Sequence, residues 1–287
     1  MPYVIAIITA LLVLLVLLAL WLERNLPIVT DTMILSDKIS APVTFCVIAD
    51  LHNKCFGEGN RRLLSILSGI SADAFLIPGD IITDGDSGNE PGIYFMMQLA
   101  SLGKPVYFGL GNHEVRYALT HPEEYEKMLS EYRKAGITVL DNETAEGPGG
   151  TVISGVSIPL GCYRKFCETI PFTPSDMEEL LPRDGKPGFR ILLGHNPVYF
   201  ETFRKWGADL SISGHMHGGL IRLPFIGAVI SPQFRLFPKY SAGLFHEENA
   251  WLYVSRGLGT HTVNIRIHNR PEVAVIHINW KAGKEQA

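Results

Sequence analysis

The chain has 287 residues, 46% of them apolar and 19% charged, with a formal net charge of −4. This composition excludes a disordered chain, and 25 Lys and Arg against 29 Asp and Glu exclude nucleic-acid binding driven by bulk positive charge, so no nucleic-acid partner is expected. Four cysteines are too few for a disulfide scaffold, and Cys162 and Cys167 read equally as bridged or free.

Residues 1–22 hold only Pro2 and Thr9 outside the apolar class. The uncharged run Val4–Leu22 would make a helix about 28 Å long, close to the roughly 30 Å hydrocarbon core of a bilayer. No Lys or Arg precedes the run, and its exit lacks the small-residue pattern of a cleavage site. Residues 1–24 therefore read as one uncleaved transmembrane helix, with Trp21 and Arg24 at the interface. The reading puts the chain in the cell membrane by a single pass, with the lipid bilayer as a partner. Arg24 and Lys38 after the helix, against the terminal amine before it, leave the membrane side of the rest of the chain undecided.

Residues 25–42, mixed and polar with Pro27 and Pro42, read as a stalk, and one folded domain is expected over 43–280. Val43–Ala49 reads as a strand ending at Asp50-Leu-His52. Arg61–Ile70 has helical spacing. Ala74–Ile77 is a buried strand ending at Pro-Gly-Asp80. A helix over Pro91–Ser101 leads to a strand over Pro105–Leu110, which ends at Gly111-Asn-His-Glu114. Pro122–Ala135 reads as a helix with a solvated Glu and Lys face. Strands follow over Thr151–Ile158, Phe189–Leu193 and Leu210–Ser213, the last two ending at Gly194-His195 and Gly214-His-Met-His217. Trp251–Ser255 and Val273–Ile278 alternate like late strands. The alternation of strand and helix patterns predicts an α/β domain with buried sheets.

Five apolar strands thus end in clusters of Gly, Asp, Asn and His. Ligands of α/β sheets collect beyond the carboxyl ends of strands, so these ends converge on one site. Imidazole, carboxylate and amide oxygen without thiolate suit divalent metals such as Mn2+, Zn2+ or Fe2+. Seven candidate ligands, Asp50, His52, Asp80, Asn112, His195, His215 and His217, exceed what one tetrahedral ion needs. Two ions sharing a carboxylate would use them all, and such a pair, about 3.5–4 Å apart, clamps the attacking and leaving oxygens of a phosphoryl transfer.

As an ordered set, Asp50-x-His52, Gly79-Asp80, Gly111-Asn-His-Glu114, Gly194-His195 and Gly214-His-x-His217 resemble the calcineurin-like metallophosphoesterase superfamily. The resemblance implies a four-layer α/β/β/α sandwich with two mixed sheets. It implies that Asp50, His52 and His217 hold one metal, that Asn112, His195 and His215 hold the other, and that Asp80 bridges both. His113 would face the substrate phosphate and protonate the leaving group. In many relatives an Asp three residues after the bridging Asp orients that histidine. Here Thr83 stands in that position and Asp84 follows, so Asp84 would act after a one-residue shift. Thr83 also lacks the phenolate of an iron–tyrosinate site.

The later motifs His217-Gly-Gly, Arg222-Leu-Pro-Phe-Ile-Gly, Phe237-Pro-Lys-Tyr240, Ser255-Arg-Gly-Leu-Gly259 and Asn269-Arg-Pro-Glu272 resemble a branch of membrane-anchored bacterial phosphodiesterases. That branch includes members that cleave the pyrophosphate of UDP-2,3-diacylglucosamine.

From Leu210 to His246 there is no Asp or Glu. Phe225, Phe234, Leu236 and Phe237 stand there with Arg222, Arg235 and Lys239. The stretch reads either as core strands with a cap over the site, or as a surface for anionic head groups, with those three cations contacting substrate. Tyr163-Arg164-Lys165 reads as a phosphate contact or a solvated turn. The expected function is hydrolysis of a phosphodiester or pyrophosphate bond in a phosphate-containing substrate with a lipid portion. A phosphoprotein phosphatase and a non-catalytic metal-binding scaffold are the rival readings.

Overall fold

The computed structural model describes residues 2–85, 88–163, 170–232, 234–260 and 265–281. The first helix, α1 (Pro2–Asn25), has no buried residue and is long and apolar enough to cross a membrane.

The first sheet holds six strands: β1 (Ile28–Ser36), β2 (Val43–Val47), β3 (Ala74–Ile77), β4 (Val106–Gly109), β5 (Ile137–Leu140) and β14 (Glu272–Trp280), in the order β1-β14-β2-β3-β4-β5. The strands β2 to β5 run parallel, whereas β14 runs antiparallel to β2 and parallel to β1. The second sheet holds β6 (Glu143–Glu146), β7 (Thr151–Gly155), β8 (Phe189–Leu193), β9 (Leu210–Ser213), β12 (Gly243–Glu247) and β13 (Ala250–Val254), in the order β12-β13-β9-β8-β7-β6. A separate hairpin joins β10 (Ile221–Leu223) to β11 (Gly227–Ile230).

Strand periodicity sends alternate residues to two different cores. Cys46, Phe75, Ile77 and Phe108 pack against helices α2 (Arg61–Ser68), α3 (Glu90–Ala100), α4 (Asn112–Thr120) and α5 (Pro122–Lys134). Their neighbours Phe45, Ala74, Leu76 and Tyr107 face Ile153, Ile191, Leu193 and Ile212 of the second sheet. On the far side of that sheet, Leu192 packs with Met177 of α6 (Pro174–Leu180) and with Phe203 and Trp206 of α7 (Phe200–Trp206). The result is the expected four-layer α/β/β/α sandwich with two mixed sheets. Each fully buried aliphatic or aromatic side chain in it contributes about 1.5–3 kcal/mol.

Half of the expected stalk is instead strand. Residues 28–36 form β1, paired along their length with β14. Its inward positions reach Ile34 and Ser36, both buried, while Val29, Met33 and Leu35 face outward and are exposed. An edge strand with one wet face carries residues such as Asp31 and looks polar on average, and its two flanking prolines sit outside the paired stretch.

The sheet directions decide where the site lies. The carboxyl ends of β2, β3, β4, β8 and β9 share one end of the sandwich. Because β1 and β14 run against β2, their amino ends lie there too: Ala274 pairs with Val47 at the end of β2 and with Thr30 near the start of β1. The helix α1 therefore leaves the domain at the end where the candidate ligands gather.

Candidate metal centre

The turns after the strands hold an unusual backbone. Asp50 (φ 51°), His52 (48°), Asp80 (55°), His215 (66°) and His217 (49°) all occupy the left-handed region. For residues other than glycine this costs on the order of 1–3 kcal/mol each, and persists where the surroundings over-determine it. The adjoining glycines are required by close approach. A Cβ on Gly111 would lie 2.1 Å from Asp80 Oδ1, and one on Gly214 would lie 2.6 Å from Asp50 Oδ2.

These turns bring six of the seven expected ligands into two joined groups. Asp50, His52 and His217 form one, and Asp80, His195 and His215 the other, each with its ligand atoms within 4.8 Å of one another. His52 Nε2 and His217 Nε2 face each other at 3.1 Å with the rings stacked. Asp80 Oδ2 lies 2.9 Å from His195 Nε2 and 3.8 Å from His52 Nε2, so it spans both groups. Carbonyl oxygens fix the other side of two rings: His195 Nδ1 is 2.9 Å from Pro78 O, and His217 Nδ1 is 3.2 Å from Gly259 O. Asn112, the seventh, is buried at the start of α4. Its Oδ1, like Asp50 Oδ2, is buried with no hydrogen-bond partner among the described residues.

The electrostatics are those of a site built around positive charge. Burial pushes the Asp50 carboxyl up to about 7, and the negative charge of Asp80 adds to the rise. Burial would raise Asp80 too, but His195, His113 and His52 outweigh it and hold Asp80 well below its usual range. Burial would lower His195, but Asp80 and Asp50 lift it to about 9. Burial and the charge of His195 drive His215 well below the ordinary histidine range. Protons thus sit where cations are wanted. Metal ligation needs Asp50 ionised and His195 neutral, so loading would release protons. The orphaned oxygens, the facing ring nitrogens and the N/O donor set all fit a pair of divalent ions.

The helix α4 supplies the neighbouring machinery. The His113 N–H donates to Asp80 Oδ1 at 2.9 Å. Its ring Nδ1 lies 2.8 Å from Asp84 Oδ1, and Arg116 holds the other oxygen of Asp84. Thr83, in the position an orienting Asp would take, instead accepts from Asn53 Nδ2 at 3.1 Å. Burial would lower the His113 ring, but Asp80 and Asp84 outweigh it and raise it.

Two contributors, Glu114 and Arg266, had no role assigned from sequence, and Tyr163, read as a phosphate contact or a solvated turn, proves buried. The buried Glu114 carboxylate accepts from the backbone N–H groups of Asp80, Ile81, Ile82 and Gly111, and so clamps two ligand turns together. Its signal was present, since Glu114 closes the Gly-Asn-His-Glu run. Tyr163 is buried with its ring edge-on to His215 at 4.9 Å, in the wall of the site. Arg164, Lys165 and Cys167 lie outside the described residues. Arg266 is fully buried and donates to the carbonyls of Arg256, Gly257 and Gly259, behind His217. Nothing in its local sequence marks it.

Of the three expected substrate cations, Arg222 donates to Gly218 O at 2.8 Å, one residue beyond His217. Lys239 is committed to Glu247 Oε1 at 2.6 Å, and Arg235 donates its backbone N–H to Ser231 Oγ at 3.2 Å.

A calcineurin-like phosphoesterase family model matches residues 43–219, which hold all seven candidate ligands. The chain belongs to this family. Its members are metal-dependent phosphoric ester hydrolases that use a dinuclear divalent centre. Among curated relatives, the chain is 28% identical to phosphodiesterase YaeI of Escherichia coli over 83% of each chain. It is 30% identical to an uncharacterized metallophosphoesterase of Aquifex aeolicus over 71% of this chain and 74% of that one. It is 35% identical to the UDP-2,3-diacylglucosamine pyrophosphatase LpxG of Chlamydia muridarum, over 30% of this chain and 28% of that protein.

Proposed function

We propose that the chain is a membrane-anchored phosphodiesterase or pyrophosphatase whose substrate carries a lipid portion. The observation that carries the hydrolytic part is Asp80, which groups with His195 and His215 and also stands 3.8 Å from His52 of the Asp50, His52 and His217 group. Asp50, His52 and His217 would hold one ion and Asn112, His195 and His215 the other, with Asp80 common to both. When bound, two divalent ions supply positive charge to the phosphate and lower the pKa of the attacking water.

The chain's own residues do the rest. Asp84 holds Nδ1 of His113, which leaves Nε2 to carry the proton given to the leaving oxygen. Asp80 holds the backbone of His113 through its N–H, so proton donor and shared ligand are positioned together. Glu114 keeps the Asp80 turn and the Gly111 turn in register. Arg222 stands beside the ligand loop as the cation for a second phosphate or head group.

The lipid portion is supported by the helix α1, by its exit at the ligand end of the sheets, and by similarity to a pyrophosphatase named for a diacylated sugar nucleotide. The test is a substrate panel on the purified full chain with added manganese. Bis-p-nitrophenyl phosphate should be cleaved faster than p-nitrophenyl phosphate. UDP-2,3-diacylglucosamine in mixed micelles should show a higher kcat/KM than its deacylated analogue. A monoester preference would overturn the diester reading, and equal values for the last two would overturn the lipid reading.

A further inference from the structure

We propose that the hairpin β10–β11 and the neighbouring loop residues 234–240 form a second membrane contact beside α1, which turns the mouth of the metal centre toward the lipid surface. The inference rests on the anchored reading above and adds an orientation to it.

The first observation is where the hairpin stands. It begins four residues after His217, and a short segment, 267–270, joins it to the end of α1. The backbone of Ile267 pairs with Leu220 and Arg222. Two residues on, the Asn269 N–H donates to Glu23 Oε2 at 2.9 Å, and Arg270 Nε donates to Leu26 O at 2.9 Å. The Asn269 amide also donates to His217 O at 2.7 Å and Gly219 O at 2.6 Å. Lys54, two residues past His52, reaches the Arg24 carbonyl from the other side. The last turn of α1, the ligand loop and the base of the hairpin are therefore one bonded unit. A bilayer holding α1 must lie close to the hairpin.

The second observation is what the hairpin presents. Phe225, Ile226, Phe234, Leu236 and Phe237 are all exposed, with Phe225 at the hairpin tip in full contact with solvent. Phe225, Phe234 and Phe237 also hold left-handed backbone, with φ of 67°, 61° and 46°. A bulky aromatic in that region is a genuine outlier, and Phe225 and Phe237 are each more than half exposed. Strain that turns large apolar side chains outward has a use only where something apolar receives them.

The third observation is charge. The stretch from Leu210 to His246 lacks Asp and Glu but keeps Arg222 and Arg235, whereas Lys239 pairs with Glu247 just beyond it. Aromatic and aliphatic tips flanked by cations match a surface of anionic head groups over hydrocarbon, and acidic residues there would be repelled. A second protein partner has no such reason to exclude acids. These features commit the surface to lipid.

The test reads depth directly, on the full chain in vesicles of phosphatidylethanolamine and phosphatidylglycerol. Spin labels go at Phe225→Cys, Leu236→Cys and, as control, Glu248→Cys, in a Cys55→Ser, Cys167→Ser background. Glu248 lies in the turn before β13, at the opposite end of the strands. Labels at 225 and 236 should be several-fold more accessible to oxygen than to a soluble nickel chelate, with the reverse at 248. Aqueous accessibility at all three would overturn the proposal. So would dipolar broadening between labels at 225, since a second copy would then cover the patch. Two ions per labelled chain, with diester turnover, confirm the fold of each variant. They also separate a failure of this contact from a failure of the enzymatic reading.

Discussion

Both ends of the two sheets gather acids, bases and histidines, but they treat them differently. At the end away from α1 lies a cavity of about 740 Å³ lined by Asp37, Lys38, Asp209, His246, Glu248 and Trp251, among others. There charge is met by charge: Lys38 pairs with Asp209 at 2.6 Å, Arg204 holds Glu248, and the His246 ring packs on Trp251 with centroids 4.0 Å apart. Of the lining residues only Glu248, in a hairpin turn, has left-handed backbone. At the other end five ligand residues are left-handed, and two carboxylates and four imidazoles crowd together with orphaned oxygens. A well-formed cavity with titratable walls is thus not by itself the mark of a reactive site. Burial without compensation, on strained backbone, is.

The contrast breaks first at Asp80. Asp80→Asn should remove the carboxylate proposed to be common to both ions, which lies 2.9 Å from His195 and 3.8 Å from His52, so both ions should be lost together. The affinity loss should exceed the ~100-fold upper range of outer-shell changes. Metal content per chain checks this, and a variant that keeps two ions would show that Asp80 is not shared.

How far this end could be read from sequence follows from what each residue does. The candidate ligands were legible because they follow apolar strands, and apolar runs interrupted by His or Asp stand out. The strands β2, β3, β4, β8 and β9 were legible for the same reason. The strand β1 was not, because an edge strand with Thr and Asp on it has the composition of a linker. Short β5 and β6 and the helix α4 were hidden too, the last because its first residues Asn112, His113 and Glu114 carry function rather than helical periodicity. Arg266 acts through backbone carbonyls brought close by tertiary structure, and no local pattern encodes that. Asp84 was legible only as a shifted candidate, and the contact to His113 depends on the turn geometry between β3 and α3.

The next largest effect concerns His113. His113→Ala should leave metal content near that of the unmodified chain and lower kcat by about 10²–10⁴-fold on a poor leaving group. The loss should shrink for p-nitrophenyl esters, whose leaving group needs little protonation. An equal loss across leaving groups would remove the proton from His113. Asp84→Asn should act more mildly and through pH. The Asp84 carboxylate favours the charged imidazolium, so it raises His113 and keeps the acid protonated to higher pH. Without it His113 loses its proton earlier. The alkaline limb of kcat/KM should therefore move down by about 1–3 pH units, while the acidic limb stays. A profile that falls uniformly without moving would make Asp84 a purely structural residue.

The smallest effect should come from the far end. Lys38 is half exposed and meets Asp209, whose carboxylate is mostly covered and also accepts from the Arg190 N–H at 2.8 Å. Lys38→Ala removes a solvent-screened partner and leaves that backbone bond in place. The expected cost is below about 1 kcal/mol, the range of exposed ion pairs. It should appear as a drop in Tm of a few degrees at most, with metal content and kcat/KM on bis-p-nitrophenyl phosphate unchanged. Activity is insulated because the pair sits at the amino ends of β8 and β9, whereas His195 and His215 follow their carboxyl ends. Lys38 is exposed to solvent, which screens its charge over the length of the two strands. A tenfold loss of turnover with Tm intact would contradict that insulation and make the far cavity part of the working enzyme.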